Sequence, residues 1–285
     1  MTRYAVIGNP IAHSRSPEIH EHFADQCGVR LSYERLLAPI DGFASTVAEF
    51  FAGGGKGLNV TLPFKEEAAR WVTAADALGR SIGAVNTIRP RPAPASDGAA
   101  AFEGTNTDGA GLVADLARLE WPLRGRNILM LGAGGAARGA LWSLLEHGPR
   151  RICIANRTLA RAQALCTALA ARSARFGCTL VPRAYDAIDA HADVVINATS
   201  LGLGATADAF ADLLPRLTLR RARCYDMMYS AGSEPTPFIE FAHLRGAGAT
   251  ADGLGMLVGQ AAVAFEWWHG RTPCIATTLA ALRHP

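Results

Sequence analysis

Lys65 follows the run Asn59-Val60-Thr61-Leu62-Pro63-Phe64, in which Pro63 predicts a helix start and places Leu62 at the cap. A cation then falls in a first helical turn, where the backbone dipole favours Glu66 and Glu67 and disfavours a lysine. A lysine held there suits a proton donor. Asn59 and Thr61, alternate residues of a strand, face one side. Asp108, in Asn106-Thr107-Asp108-Gly109, precedes a helix with Leu112, Leu116 and Leu119 on one side; it reads as an N-cap that could also orient a lysine. Ser14 and Ser16 lie in Gly8-Asn9-Pro10-Ile11-Ala12-His13-Ser14-Arg15-Ser16-Pro17, at the carboxyl end of the opening strand. Ser16 before Pro17 is a predicted N-cap, which accounts for Ser16 and leaves Ser14 unexplained; His13 reads as a hydrogen-bonded loop residue. Asn86, in Gly83-Ala84-Val85-Asn86-Thr87, occupies a strand position where an apolar residue is expected.

A second chemistry lies mid-chain. The apolar run Asn127-Ile128-Leu129-Met130-Leu131 leads directly into Gly132-Ala133-Gly134-Gly135-Ala136-Ala137 and then a helical pattern. Strand, Gly-x-Gly-x-x-Ala and helix form the dinucleotide-binding signature: a tight turn, a close backbone approach to a pyrophosphate, and a small residue between helix and strand. Backbone N–H groups and the positive end of the helix dipole hold the anion. About 20 residues on, where such folds read the ribose, the strand Arg151-Ile152-Cys153-Ile154-Ala155 ends in Asn156-Arg157-Thr158. An acidic residue there would repel a 2′-phosphate; this chain has neutral Asn156, then Arg157 and, one turn later, Arg161. Guanidinium groups match phosphate in charge and geometry, so the expected cofactor is NADP. Two solvated arginines on a helix surface are the plainer reading of the same residues.

These groups need elements to position them. Strand-like runs at Tyr4–Ile7, Leu31–Leu37, Gly57–Thr61 and Ala84–Ile88 alternate with helical patterns near 17–27, 43–52 and 63–71. The second half offers 127–131, 151–155, Leu180-Val181, Asp193–Asn197 and Cys224–Met228. That alternation predicts an α/β fold of two domains with mostly parallel sheets, only the second carrying the nucleotide turn. Pro90 to Gly98 reads as a loop ending in a hairpin turn at Asp97-Gly98. Leu254–Trp268, apolar on all sides, and Ile275–Leu282 are predicted helices that would pack back on the first domain and make it discontinuous.

The totals exclude other classes. Half of the 285 residues are hydrophobic, and a net charge of +3 without a basic run argues against a nucleic-acid partner. The six cysteines (27, 153, 166, 178, 224 and 274) form no Cys-x-x-Cys pair, which favours a reducing cytoplasm and argues against zinc. The N-terminal apolar run is too short for a signal peptide, and no stretch reaches the ~20 apolar residues of a membrane helix. The expectation is a soluble cytoplasmic enzyme, monomer or homodimer, with a small-molecule substrate and no metal.

Taken in order, Gly8 to Pro17, Asn59 to Lys65, Gly83 to Thr87, Asn106 to Gly109, the glycine turn, Asn156 to Thr158 with Arg161, Asn197-Ala198-Thr199-Ser200, Tyr225-Asp226-Met227-Met228-Tyr229 and Asp252 to Gln260 resemble the shikimate dehydrogenase family across nearly the whole chain. The resemblance implies a substrate domain of residues 1–108 plus 253–285 and a Rossmann-type NADP domain of residues 109–252. It implies that Lys65 and Asp108 are the catalytic pair. Ser14, Ser16, Asn59, Thr61, Asn86, Asp108 and Gln260 would hold the substrate's carboxylate and hydroxyls, with Tyr229 nearby. Gly132, Gly134, Gly135 and Ala136 would form the pyrophosphate turn. Asn156, Arg157, Thr158 and Arg161 would form the 2′-phosphate pocket, and Thr199, Met227 and Gly253 would line the rest of the cofactor. The implied reaction is reversible reduction of 3-dehydroshikimate to shikimate in aromatic amino-acid biosynthesis. The Pro90–Ala101 and Gly204–Leu214 segments match no family motif. A dual-specificity quinate/shikimate enzyme using NAD would want an acidic residue near position 158 and a substituted Ser14 or Ser16. A non-catalytic nucleotide sensor would be expected to lose Lys65 or Asp108. Folate-linked dehydrogenases share only the two-domain layout.

Overall fold

The computed structural model describes residues 1–91, 101–188, 191–199, 201, 206–215, 217–230, 232 and 234–283. They divide into two compact units, Met1–Gly111 with Val258–Pro285, and Leu112–Leu257.

In the first unit β1 (Thr2–Gly8), α1 (Ser16–Cys27), β2 (Leu31–Leu37), α2 (Phe43–Ala52) and β3 (Gly55–Val60) follow one another as crossover units. Helical crossovers deliver parallel pairing, and β1 pairs parallel with both β2 and β3. After α3 (Lys65–Trp71), β4 (Ala74–Ala75) and α4 (Ala77–Ile82), β5 (Thr87–Pro90) and β6 (Phe102–Thr105) complete a sheet of order β2-β1-β3-β5-β6-β4. β5 runs antiparallel to both β3 and β6. The predicted turn at Asp97-Gly98 lies outside the described residues. Ala5, Ile7, Phe43, Val47, Leu58, Phe64 and Ile88 form the core between sheet and helices.

Two local expectations are corrected. The helix predicted from Pro63 begins at Lys65, with Phe64 and not Leu62 at its cap. Phe64 N–H bonds the Thr61 carbonyl, and the buried Phe64 ring stacks on Phe43 at 5.2 Å, so a turn anchored in the core delays the helix. The strand predicted from Ala84 starts only at Thr87. Val85 donates its N–H to the Lys65 carbonyl, which takes that residue out of the sheet ladder.

The second unit starts within α5 (Asp108–Arg118) and contains β7 (Asn127–Leu131), α6 (Gly135–Glu146), β8 (Arg151–Ala155), α7 (Leu159–Ala168), α8 (Ala170–Arg175), β9 (Thr179–Arg183), β10 (Val194–Asn197), α9 (Ala207–Leu213), β11 (Arg223–Asp226), α10 (Pro237–Leu244) and β12 (Ala249–Ala251). Its sheet is wholly parallel in the order β12-β11-β10-β7-β8-β9. This is the doubly wound dinucleotide-binding order, whose strand sequence reverses between β7 and β10. Parallel strands covered on both faces read as continuous apolar runs, as Ile128–Leu131 and Val194–Ile196 do. α11 (Leu254–His269) begins in this unit and continues into the first; α12 (Ile275–Arg283) belongs to the first. There Trp268 meets Tyr4 with ring centroids 4.9 Å apart, and Gln26 donates to the Thr278 hydroxyl at 2.8 Å.

Candidate functional site

β3, β5, α3, α5 and α11 bring one polar network together in the first unit. Lys65, the first residue of α3, sets its Nζ 2.6 Å from Asp108 Oδ2. Asp108 opens α5, and Asn86, just ahead of β5, donates its Nδ2 to Asp108 Oδ1 at 2.8 Å. The orientation of the Asn86 amide is fixed because its Oδ1 accepts the Thr107 backbone N–H at 2.9 Å, a group that can only donate. Both carboxylate oxygens of Asp108 are therefore tied, and Lys65 keeps two N–H donors beyond the one on Asp108. Gln260 on α11 accepts from Thr107 Oγ1 at 3.2 Å.

The network continues toward β2. Asn59 donates to Thr87 Oγ1 at 3.0 Å, and Thr87 Oγ1 donates to Asn86 Oδ1 at 2.9 Å. Tyr33 OH donates to Asn59 Oδ1 at 2.7 Å, and burial lifts the Tyr33 phenol well above its usual range, so it stays a donor; a hydrogen bond with Ser16 partly offsets that rise. Ser14 and Ser16 place their hydroxyls 3.2 Å apart. Asn59, Asn86, Thr87, Thr107, Ser16 and Gln260 are all buried, whereas Lys65, Asp108 and Ser14 are half-exposed. The geometry is a buried polar network with a cation and its carboxylate at one end, reaching through Tyr33 to the Ser14–Ser16 hydroxyl pair.

Two capping expectations are corrected. Ser16 is the first residue of α1, with Arg15 at the cap position and no side-chain cap. Its N–H instead approaches Ser14 Oγ at 3.3 Å, which gives Ser14 the structural role it lacked. Asp108 does not cap α5: its own N–H is met by Asn106 Oδ1 at 3.1 Å, and its carboxylate is committed to Lys65 and Asn86. Thr61 lies beside the end of β1, donating its N–H to the Ile7 carbonyl at 2.9 Å. His13 is exposed.

The second unit gathers the other set. Gly132 directly follows β7 with φ +101°, a backbone that side chains rarely adopt, and its position faces Ala198 and Thr199 of the loop after β10. Gly134, Gly135 and Ala136 are exposed, and nothing lies within 4 Å of a Cβ placed on either glycine. α6 starts there with Gly134 at its cap and no side chain on its N–H groups. That open cradle fits a pyrophosphate. Thr199 donates both N–H and hydroxyl to Asn197 Oδ1, and the Met227 N–H bonds the Asn197 carbonyl at 2.9 Å. Gly253 passes so close that a Cβ would stand 2.4 Å from the Met227 carbonyl oxygen. Beneath these loops Asn197 and Thr236 donate to the buried Asp226 at 2.9 and 2.6 Å. Desolvation raises the Asp226 carboxyl against the opposing pull of those donors.

After β8, Asn156 Nδ2 bonds the Thr158 carbonyl at 2.9 Å and shapes the turn into α7. Arg157, Thr158 and Arg161 are exposed, and among the described residues neither arginine forms an ion pair. Two unneutralised guanidinium groups at this strand end fit an added phosphate. Tyr229, half-buried, also belongs to the second unit. No group of three or more His, Cys, Asp or Glu capable of holding a metal occurs among the described residues. None of the described helices is long and apolar enough to cross a membrane.

Sequence reasoning missed Tyr33, Thr87 and Thr107. Tyr33 reads as an ordinary strand aromatic, and both threonines read as strand or turn residues. The signal that could have found them was the polar neighbours Asn59, Asn86 and Asp108, which must be satisfied when buried.

Three family models match: a shikimate dehydrogenase substrate binding domain over residues 6–88, a shikimate / quinate 5-dehydrogenase over 115–204, and a shikimate 5'-dehydrogenase C-terminal domain over 253–283. The chain is similar to the shikimate dehydrogenase (NADP(+)) of Cellvibrio japonicus, 46% identical over 98% of this chain and 96% of that one. It is 50% identical to the Bordetella petrii protein of the same name over 99% of this chain and 96% of that one. Among solved structures it resembles shikimate 5-dehydrogenase from Thermus thermophilus in complex with NADP(H) and shikimate, with a TM-score of 0.78, 32% identity, and coverage of 99% and 98% of the two chains.

Proposed function

The chain belongs to the shikimate dehydrogenase family, and from that premise we propose how its residues divide the work. The enzyme is an NADP-dependent oxidoreductase of the shikimate pathway that interconverts 3-dehydroshikimate and shikimate. NADPH supplies the hydride when bound. As the 3-keto carbon accepts it, negative charge grows on the oxygen, and the Lys65 ammonium stabilises that charge and delivers the proton. In the reverse direction Lys65 takes the hydroxyl proton. Asp108, tied at one oxygen by Asn86, holds the ammonium in place through the 2.6 Å contact. That locked pair is the observation that carries the mechanism.

Asn59, Thr61, Asn86, Asp108 and Gln260 bind the substrate's ring hydroxyls, and Ser14 and Ser16 its carboxylate. Tyr229 is the remaining substrate residue. Gly132, Gly134, Gly135 and Ala136 hold the pyrophosphate. Asn156, Arg157, Thr158 and Arg161 hold the 2′-phosphate, and Thr199, Met227 and Gly253 line the rest of the cofactor. The substrate domain takes in residues 1–108 and 253–285, the cofactor domain the residues between. The protein works in the cytoplasm as a monomer or homodimer, with small molecules as its ligands.

Initial rates with shikimate and with quinate, each against NADP and NAD, test this reading. Turnover with shikimate and NADP alone supports substrate, cofactor and phosphate pocket together. Comparable rates with NAD or quinate would favour a dual-specificity enzyme, and no turnover by folded, NADP-binding protein would refute catalysis.

A further inference from the structure

The proposed carboxylate subsite is made of neutral hydroxyls, yet its ligand is an anion. Ser14 and Ser16 offer two O–H groups 3.2 Å apart. Neighbouring cations are neutralised: Arg15 pairs with Glu18 at 3.0 Å, and Lys65, at the reacting end, with Asp108 at 2.6 Å. Arg35 differs. Its Nε donates to the Ser14 carbonyl at 2.8 Å, and among the described residues it forms no ion pair.

The sheet register gives this contact a direction. Arg35 on β2 aligns with Val6 on β1, and Val6 aligns with Asn59 on β3. Residues in register across parallel strands point to one face, so Arg35 shares the face of Asn59. Two strand spacings separate them, about 10 Å. Tyr33, two residues before Arg35, stands on that face as well and bonds Asn59. A substrate whose reacting oxygen meets Lys65 and whose hydroxyls meet Asn86 and Asn59 therefore extends its other end toward Ser14, beside the Arg35 guanidinium. One nitrogen of that group is committed to Ser14, which leaves its remaining N–H donors and its full charge.

We propose that Arg35 is a specificity-determining residue for the acid substrate: it pins the Ser14 loop through Nε and supplies the positive charge that the Ser14–Ser16 subsite lacks. The proposal rests on the shikimate reading given above. Arg35 touches neither the reacting carbon nor Lys65, so it acts on binding and leaves the chemical step alone. Its exposure screens the charge, which limits the effect to that of a rim cation.

The experiment measures kcat and KM with saturating NADP for the unsubstituted enzyme, Arg35→Gln and Arg35→Lys, on shikimate and on its uncharged methyl ester. Gln keeps an N–H donor for the Ser14 carbonyl and removes the charge; Lys keeps the charge. The expected result is a rise of about three- to fivefold in KM for shikimate in Arg35→Gln, the range of a single screened charge. In that variant kcat and the KM of the ester stay within about twofold, and Arg35→Lys stays near the parent on both. A loss in Arg35→Gln that is equal for acid and ester would overturn the charge assignment and leave Arg35 a loop anchor. An unchanged KM for shikimate would overturn the proposal entirely. Absence of shikimate turnover in the unsubstituted enzyme would instead refute the proposed function, a distinct outcome.

Discussion

His20 sets how the first unit responds to acid. It lies on α1 with no exposed surface, and no hydrogen bond of ordinary geometry reaches either ring nitrogen. The ring stacks on Tyr33 at 4.2 Å and meets Phe23 edge-on at 5.8 Å. Desolvation, reinforced by nearby His269 and only weakly opposed by the Asn59 side chain, lowers its pKa from 6.5 to about 3. The unfolded chain protonates this side chain below pH 6.5, while the folded protein keeps it neutral down to about pH 3. The associated stability is thus complete above pH 6.5 and is lost as the pH falls toward 3. Integrated between about pH 7 and pH 5, the loss is about 2 kcal/mol. His20→Phe keeps a ring against Tyr33 and removes the proton site. Urea unfolding of both proteins at each pH provides the assay, since other titrating groups are common to the pair. The parent is expected to lose about 2 kcal/mol more than the variant over that interval. At neutral pH the variant matches or exceeds the parent, because two unsatisfied buried nitrogens are gone. Equal losses in both proteins would refute the reasoning and mean that the native ring already accepts a proton.

Three further outcomes follow from the site geometry. Lys65→Ala lowers kcat by about a thousandfold, within the span of general-acid effects, with KM for shikimate moved only a few-fold; equal damage to both would make Lys65 a binding residue only. Arg157→Ala raises KM for NADP about tenfold or more and leaves KM for NAD in place, because it removes charge-assisted bonds to the 2′-phosphate alone; an unchanged NADP-to-NAD ratio would remove Arg157 from the pocket. Gly253→Ala sets a methyl 2.4 Å from the Met227 carbonyl oxygen, so thermal unfolding should register a loss of about 1–3 kcal/mol together with weaker NADP binding; a neutral substitution would mean that the loop at Met227 yields freely.

The second unit's plan was legible because a buried parallel sheet writes itself as apolar runs between helices, and β7 and β8 fall on the predicted spans. The glycine turn was equally legible, since only certain residues tolerate its backbone, and Gly132 adopts φ +101°. Helix starts were less so. Ser16, Pro63 and Asp108 each carry a local cap signal, and at each the chain found a stronger partner: Ser14, a core-anchored Phe64, and Lys65. Local propensities are small energies that tertiary contacts override.

For the site, the sequence by itself determined which side chains could do the chemistry: a lysine, a carboxylate, an order of serines and amides, and two arginines after the second nucleotide strand. Those are matters of composition and spacing, which need no third dimension. Only the tertiary structure decided how the polar groups satisfy one another. Tyr33, Asn59, Thr87, Asn86 and Thr107 come from β2, β3, β5 and the turn before α5, as far as 74 positions apart (33 to 107), and close into one network only once β1 has paired with β2 and β3. Which hydrogen each amide donates, and therefore which oxygen of Asp108 is left to Lys65, is fixed by buried donors and acceptors that must all be paired. No periodicity along the chain encodes that pairing; it exists only when the sheet brings the strands together.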